Sequence, residues 1–272
     1  MSTLMAASSG SKMLRVRAIA RRHALALRRS PHRFFDISVW PVVDALLFGA
    51  LAVFIERQGA GGAVAAGYLI SGIILWHVVY QSQIALSTGL LEETWTRNLL
   101  NLLVTPLTEV EYVAGVALFG LVKLALGVGL VALASWLMFA FHVTTLGWGL
   151  VPVIAILLAV GWVIALFVIG IVLRFGSGAE ALAWGILFAI MPLSGVFYPI
   201  GALPGFLQPV AQVLPTTHGF AAARALVDGR GLLWGEMALA AVSTLAAALV
   251  AIWFSARMLA LFRKRGFISR YT

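Results

Sequence analysis

Six stretches of the chain, roughly 37 to 55, 63 to 86, 113 to 141, 146 to 173, 181 to 200 and 235 to 261, run almost free of charge. A helix rises about 1.5 Å per residue, so about 20 apolar residues cross a hydrocarbon core of roughly 30 Å. Backbone amides in lipid must be satisfied within their own segment, which makes each stretch a membrane-crossing helix. The third and fourth are long enough to tilt or protrude. Composition agrees, because 272 residues that are 62% hydrophobic and 11% charged, with a mean hydropathy of +1.01, leave too little polar surface to coat a soluble globule. The expected fold class is an all-α integral membrane protein of six transmembrane helices, one transmembrane domain over 1 to 272. Cysteine is absent, so disulfides and thiolate metal sites are excluded and no redox compartment is legible.

The net charge of +9 is concentrated at the two ends. Lys12, Arg15, Arg17, Arg21, Arg22, Arg28, Arg29 and Arg33 precede the first apolar stretch, and Arg257, Arg263, Lys264, Arg265 and Arg270 close the chain. With six crossings both termini share a side, and the lysine and arginine bias makes that side cytoplasmic. This is a topology signal rather than a nucleic-acid-binding one. The basic start, the apolar run and Ala63-Val64-Ala65 invite comparison with a secretory signal, but the basic region is too long and Pro41 and Asp44 interrupt the run, so the segment is expected to be retained. Within residues 12 to 33, Arg15, Arg22 and Arg29 fall seven apart and Leu14, Ala18 and Leu25 lie on another face. That spacing predicts an amphipathic helix on an anionic membrane surface, with a disordered basic tail as the alternative, and Ser30-Pro31 ends it in either case.

Between the second and third stretches lies a polar break at 92 to 112, with glutamates at 92, 93, 109 and 111 and Arg97. Trp95, Leu99, Leu102 and Leu103 share a helical face, while Glu92, Glu93, Arg97 and Asn101 mark the rest. The pattern predicts a short amphipathic helix over 92 to 105, stopped by Pro106, with Thr108 and Glu111 forming a capping box for the next helix. A helix merely resting on anionic lipid would favour lysine and arginine, so this one is expected to present a cytoplasmic surface to something else.

The region 199 to 231 is apolar, yet Pro204, Pro209, Pro215, Gly201, Gly205 and Gly219 forbid one continuous spanning helix. It predicts short broken helices dipping in from the outer face and packed against protein. In the last stretch Ser243, Ala247, Ala251 and Ser255 recur every four residues and offer a smooth face to another helix.

Three ionisable residues, Asp44, His77 and Lys123, are expected inside the membrane at similar depths. A charge there costs at least about 2.5 kcal/mol unless paired or hydrated, which favours an Asp44–Lys123 pair or a water-filled cavity. Two readings stand: the three line a substrate path, or they form a structural polar clamp. Trp148, Tyr198, Phe206 and Trp234 fall near the outer boundary and Trp40 and Trp95 near the inner one, as interfacial belts do. Trp76 and Trp184 lie deeper, where packing or stacking on a ligand are both open.

Three short runs carry a resemblance: Glu92-Glu93-Thr94-Trp95 leading to Leu103-Val104-Thr105-Pro106-Leu107-Thr108, then Leu193-Ser194-Gly195-Val196-Phe197-Tyr198-Pro199, and Leu214-Pro215-Thr216-Thr217-His218 followed by Arg224. In that order, the chain resembles the membrane subunits of type-2 ABC exporters, a group that includes permeases for daunorubicin-type drugs, nodulation lipo-oligosaccharides and lipid-linked polysaccharides. The resemblance implies a homodimer bound to two copies of a separate ABC-type ATPase in a bacterial-type inner membrane. It also implies that 92 to 105 is the coupling helix seated on the ATPase, and that 199 to 231 forms re-entrant helices near the outer exit, with Tyr198, Pro199, Pro215, His218 and Arg224 in that region. The chain holds no G-x-x-x-x-G-K-[ST] phosphate loop, so ATP and Mg belong to the partner and no cofactor is expected on this chain.

Other function classes remain open. A membrane-embedded transferase would need clustered catalytic groups, and His142 and His218 have no carboxylate pair, serine triad or metal spacing beside them. A secondary transporter would show repeated halves broken at midplane. A non-transporting scaffold is not excluded by sequence. For an exporter, an apolar path suits an amphiphile, with drug-like molecules and lipid-linked glycans fitting equally.

Overall fold

In the computed structural model, which describes residues 2–59, 62–95 and 104–265, the chain is a bundle of α-helices with no strand among the described residues. The order is α1 (Ser2–Arg28), α2 (Pro31–Arg57), α3 (Gly62–Trp95), α4 (Glu109–Phe139), α5 (Leu150–Phe175), α6 (Glu180–Leu193), α7 (Gln208–Val213), α8 (Pro215–Val227) and α9 (Trp234–Arg265), joined by turns that include short 3-10 segments. The helices α2 to α5 run up and down. One end of the bundle therefore carries the α3–α4 elbow, α1 and the end of α9, and the opposite end carries α7 and α8.

Among the described residues, five helices contain spans long and apolar enough to cross a membrane: Ile37–Arg57, Val64–Gly89, Glu109–Phe139, Leu150–Phe175 and Trp234–Phe262. The expected crossing at 181 to 200 differs. It makes α6, 14 residues long, which at 1.5 Å per residue is about 21 Å and short of a hydrocarbon core. Proline at 192 removes an amide from the last turn, and Gly195 at φ 59° takes the chain out of the helix, a conformation that glycine adopts without steric cost. The Tyr198 hydroxyl donates to the Pro192 carbonyl at 2.8 Å and fixes the turn.

Burial sorts the helices. The apolar span of α3 is 78% buried, against 28% for α2 and α4 and 22% for α9. Thus α3 is the central post, and the outer helices turn residues such as Leu47, Phe54, Leu137 and Trp253 outward, the arrangement a lipid surroundings demands. The main core joins Ile73, Val78 and Val79 of α3 to Val153, Leu157 and Val168 of α5 and Phe220 of α8. Close approach of α3 and α5 depends on Gly161, where an added Cβ would stand 2.7 Å from the Val79 carbonyl oxygen. The four-residue stripe on α9 meets α5: Ala251 is fully buried and the Ser255 hydroxyl donates to the Leu166 carbonyl at 2.6 Å.

The break at 199 to 231 falls where the prolines require. Pro199 precedes a short 3-10 turn over Ile200–Ala202, and Pro209 and Pro215 occupy the first turns of α7 and α8, where a missing amide costs nothing. The chain also leaves α1 after Arg28, and Pro31 opens α2.

Candidate functional site

The elbow is built by α1, α3 and α4. The Thr108 hydroxyl accepts from the Glu111 amide while the Glu111 carboxylate accepts from the Thr108 amide, so the expected capping box sets the start of α4. Arg15 donates to both Glu111 oxygens at 2.6 and 2.9 Å. Seven residues on, two turns along the same face of α1, Arg22 holds Glu93 through contacts of 2.7 and 2.9 Å. Glu93 is 1% exposed. The Tyr112 hydroxyl donates to the Gly89 carbonyl at 2.8 Å, and Ile19 packs where Gly115 has no side chain. Helix α1 is therefore a strap tied to the last turn of one long helix and the first turn of the next. Its Leu14, Ala18 and Leu25 stripe stays exposed beside Arg17 and Arg21.

The helix expected at 92 to 105 begins differently, because Glu92 to Trp95 are the last residues of α3. No proline falls between residue 86 and Pro106, and a lone glycine at 89 does not end a packed helix, so α3 runs on to Trp95. Arg97, Leu99 and Leu102 lie outside the described residues, and Pro106 sits exposed in a turn before α4. Glu93, expected on a presented surface, faces inward to Arg22.

A second locus is a cavity of about 700 Å³ between α2, α3 and α6. Trp40, Asp44, His77, Tyr80, Trp184 and Phe188 line it, with Trp76 and Phe48 completing the wall. Asp44 Oδ2 lies 3.1 Å from His77 Nε2. The His77 ring meets Tyr80 edge-on at 5.7 Å, and Tyr80 lies 5.8 Å from Trp184. The structure thus joins Asp44 to His77 from the adjacent helix. Lys123, half-buried on α4, is not among the residues that line the cavity. Sequence reasoning placed Trp40 in an interfacial belt and passed over Tyr80 and Phe188. Trp76, His77 and Tyr80 follow one another at spacings of one and three, and a helical wheel centred on His77 groups them.

The opposite end holds a third set. Buried Arg224 donates to the carbonyl of Gly195, and the Ser194 and Thr216 hydroxyls meet, so α8 is tied to the turn after α6. His218 lies 2.8 Å from Glu236 of α9 and 3.0 Å from the Gln212 carbonyl oxygen. The Tyr68 hydroxyl donates to Asp228 at 2.5 Å, and Arg230 donates to the same carboxylate at 3.1 Å. The hydrogen bond from Tyr68 and then that from Arg230 hold the Asp228 carboxyl below the usual carboxylate range.

A multi-pass helical bundle with a strapped elbow at one end and broken helices at the other has the form of a transporter's membrane subunit. Residues 15–227 match the ABC-2 type transporter family, and the chain belongs to that family. It is a permease component of an ABC transporter. No curated protein matches the chain.

Proposed function

We propose that the chain is the permease of an ATP-driven exporter that moves an amphiphilic substrate out of the cytoplasm or inner leaflet, working as a homodimer with two copies of a separate ABC-type ATPase. In this reading the protein sits in a bacterial-type inner membrane with both termini cytoplasmic, and ATP and Mg are bound by the partner. Helix α6 and the turn and short helices after it complete a sixth crossing, with α7 and α8 re-entrant from the outer side. The elbow, with Glu92, Trp95, Arg97, Leu99, Leu102 and Pro106, receives the ATPase. Glu93 acts as the anchor that Arg22 grips. Asp44 and His77 line the substrate path, with Lys123 as a third polar group at similar depth.

The observation that carries this reading is the continuity of α3. One unbroken helix carries both His77, on the cavity wall, and Glu93, at the elbow. The interval is 93 − 77 = 16 residues, about 24 Å of rise. A rigid, centrally packed helix moves as a unit, so a push at the elbow when the ATPase dimer closes shifts the cavity wall against α2 and α6. The straps from Arg15 and Arg22 make α1 and the start of α4 follow.

Purification from the native membrane tests it. A soluble ATPase is expected to copurify, and replacing 96 to 103 by a glycine-serine linker is expected to release it while the permease stays folded. If no ATPase accompanies the intact chain, the reading fails. Lys123→Met separates transport from packing: transport and assembly both unchanged would remove Lys123 from the path.

A further inference from the structure

We infer that the cavity between α2, α3 and α6 selects a cationic amphiphile, a molecule carrying an amine or other onium centre on an apolar body. The inference deepens the exporter reading and rests on it for the direction of transport, though not for the binding itself.

The charge state of the pair comes first. His77 has a side chain 3% exposed, and its Nδ1 is buried with no hydrogen-bond partner. An imidazolium would bury a second N–H with nothing to receive it, whereas a neutral ring with its proton on Nε2 donates to Asp44 and leaves only a lone pair on Nδ1. Orphaning an acceptor lone pair of this kind is the lesser penalty. With the ring neutral, any charge on the pair is the negative charge of the Asp44 carboxyl, whose side chain is 35% exposed on the cavity wall.

The walls come second. Trp40, Trp76, Tyr80, Trp184 and Phe188 surround that carboxylate with aromatic rings. Ring faces attract a cation by about 0.5–2 kcal/mol each, and more where water is excluded. A carboxylate at membrane depth is costly until a counter-charge reaches it, so a ligand cation gains from both the rings and the anion. The same arrangement repels phosphate and offers a neutral glycan few hydrogen-bonding partners. The cavity is large enough for a drug-sized organic cation. Of the two amphiphile classes open at the level of sequence, a lipid-linked glycan joined through phosphate fits poorly.

Radiolabelled tetraphenylphosphonium binding to the purified full-length chain in neutral-lipid nanodiscs, corrected for empty nanodiscs, tests the inference. Tetraphenylmethane and tetraphenylborate, which share its shape and differ in charge, serve as competitors. Saturable cation binding that neither competitor displaces is the expected result, with a roughly tenfold loss in Asp44→Asn. Trp184→Ala, on an exposed part of the wall, is expected to weaken binding as well, and covers the case in which Asp44→Asn does not fold. Equal displacement by the neutral compound, unchanged affinity in folded Asp44→Asn, or no cation binding by folded wild type each overturns it. High-yield cross-linking between two copies through Phe188→Cys, with the cation excluded, would make the cavity an interface between copies and also overturn it. Because no ATPase enters this measurement, a failure here with an ATPase still copurifying sinks the substrate class alone. Absence of any ATPase sinks the exporter reading and leaves the binding result standing.

Discussion

Arg22 reaches across from α1 to close on Glu93 at 2.7 Å, which ties the N-terminal helix to the last turn of the most buried helix in the bundle. The glutamate is almost wholly enclosed and the arginine is about half exposed, so the two sides of the pair are unequal. Removing the arginine takes a charged partner from a buried carboxylate, whereas removing the carboxylate frees an arginine that water can serve.

Arg22→Ala is therefore expected to cost about 1–3 kcal/mol of stability, and Glu93→Gln less, because the amide keeps the shape without the charge. A double-mutant cycle on melting temperatures in detergent measures the coupling. Equal losses for the two single variants and no coupling would remove Glu93 as the anchor of α1.

The α3–α5 contact at Gly161 admits no side chain without movement. Gly161→Ala is expected to destabilise by about 1–3 kcal/mol, and Gly161→Leu to abolish monodisperse protein, since the Val79 carbonyl is fixed helix backbone. Size-exclusion profiles and thermal melts give the result. A neutral Gly161→Leu would mean that α3 and α5 separate without loss.

At the opposite end, the Arg224 guanidinium caps the Gly195 carbonyl in the turn that ends α6. Arg224→Met fills much of the same volume while leaving that carbonyl without its donor. It is expected to speed proteolysis within 194 to 199, and Arg224→Lys is expected to restore only part of the protection, because one compact ammonium replaces a planar fork. Limited proteolysis in nanodiscs distinguishes the three proteins.

Asp228 supplies a pH dependence with a definite sign. Its carboxyl is held below the ordinary value near 4, first by the hydrogen bond from Tyr68. A depressed folded-state value contributes stability that is present above the unfolded value and lost as pH falls through the folded one. Acid below about pH 4 should therefore loosen the α3–α8 tie. Melting temperatures from pH 7 to pH 3 are expected to fall further for wild type than for Tyr68→Phe or Asp228→Asn. Parallel curves for all three would show that this carboxylate carries no such stability.

Much of this is legible in the sequence. Capping at Thr108 and Glu111 depends on groups three residues apart, so it is local and legible. So are the proline-fixed starts of α2, α7 and α8, and the small-residue stripe of α9. Hydropathy averages over a window and gives 181 to 200 as one apolar stretch, while one proline and one left-handed glycine decide that its helix stops at Leu193. Polarity marks Glu92 to Trp95 as a break, but nothing in Leu90 to Trp95 stops a helix, and these residues form the end of α3.

Pairing was not readable. Asp44, His77 and Lys123 were legible as unusual residues at one depth, but depth along an axis says nothing about azimuth. Which of them meet depends on how α2, α3 and α4 rotate about their axes, and that is set by glycines, ridges and grooves spread along the bundle. The same holds for Arg15 with Glu111, 96 residues apart.

By itself the sequence determined that this chain crosses a membrane as helices, where its polar elbow and broken segment fall, and that it lacks a nucleotide loop, because those properties follow from hydropathy, proline and glycine over short windows. Only the tertiary structure decided that Glu93 turns inward, that Asp44 meets His77, and that six aromatic side chains line the cavity around them, because helix rotation and packing order are properties of the whole bundle.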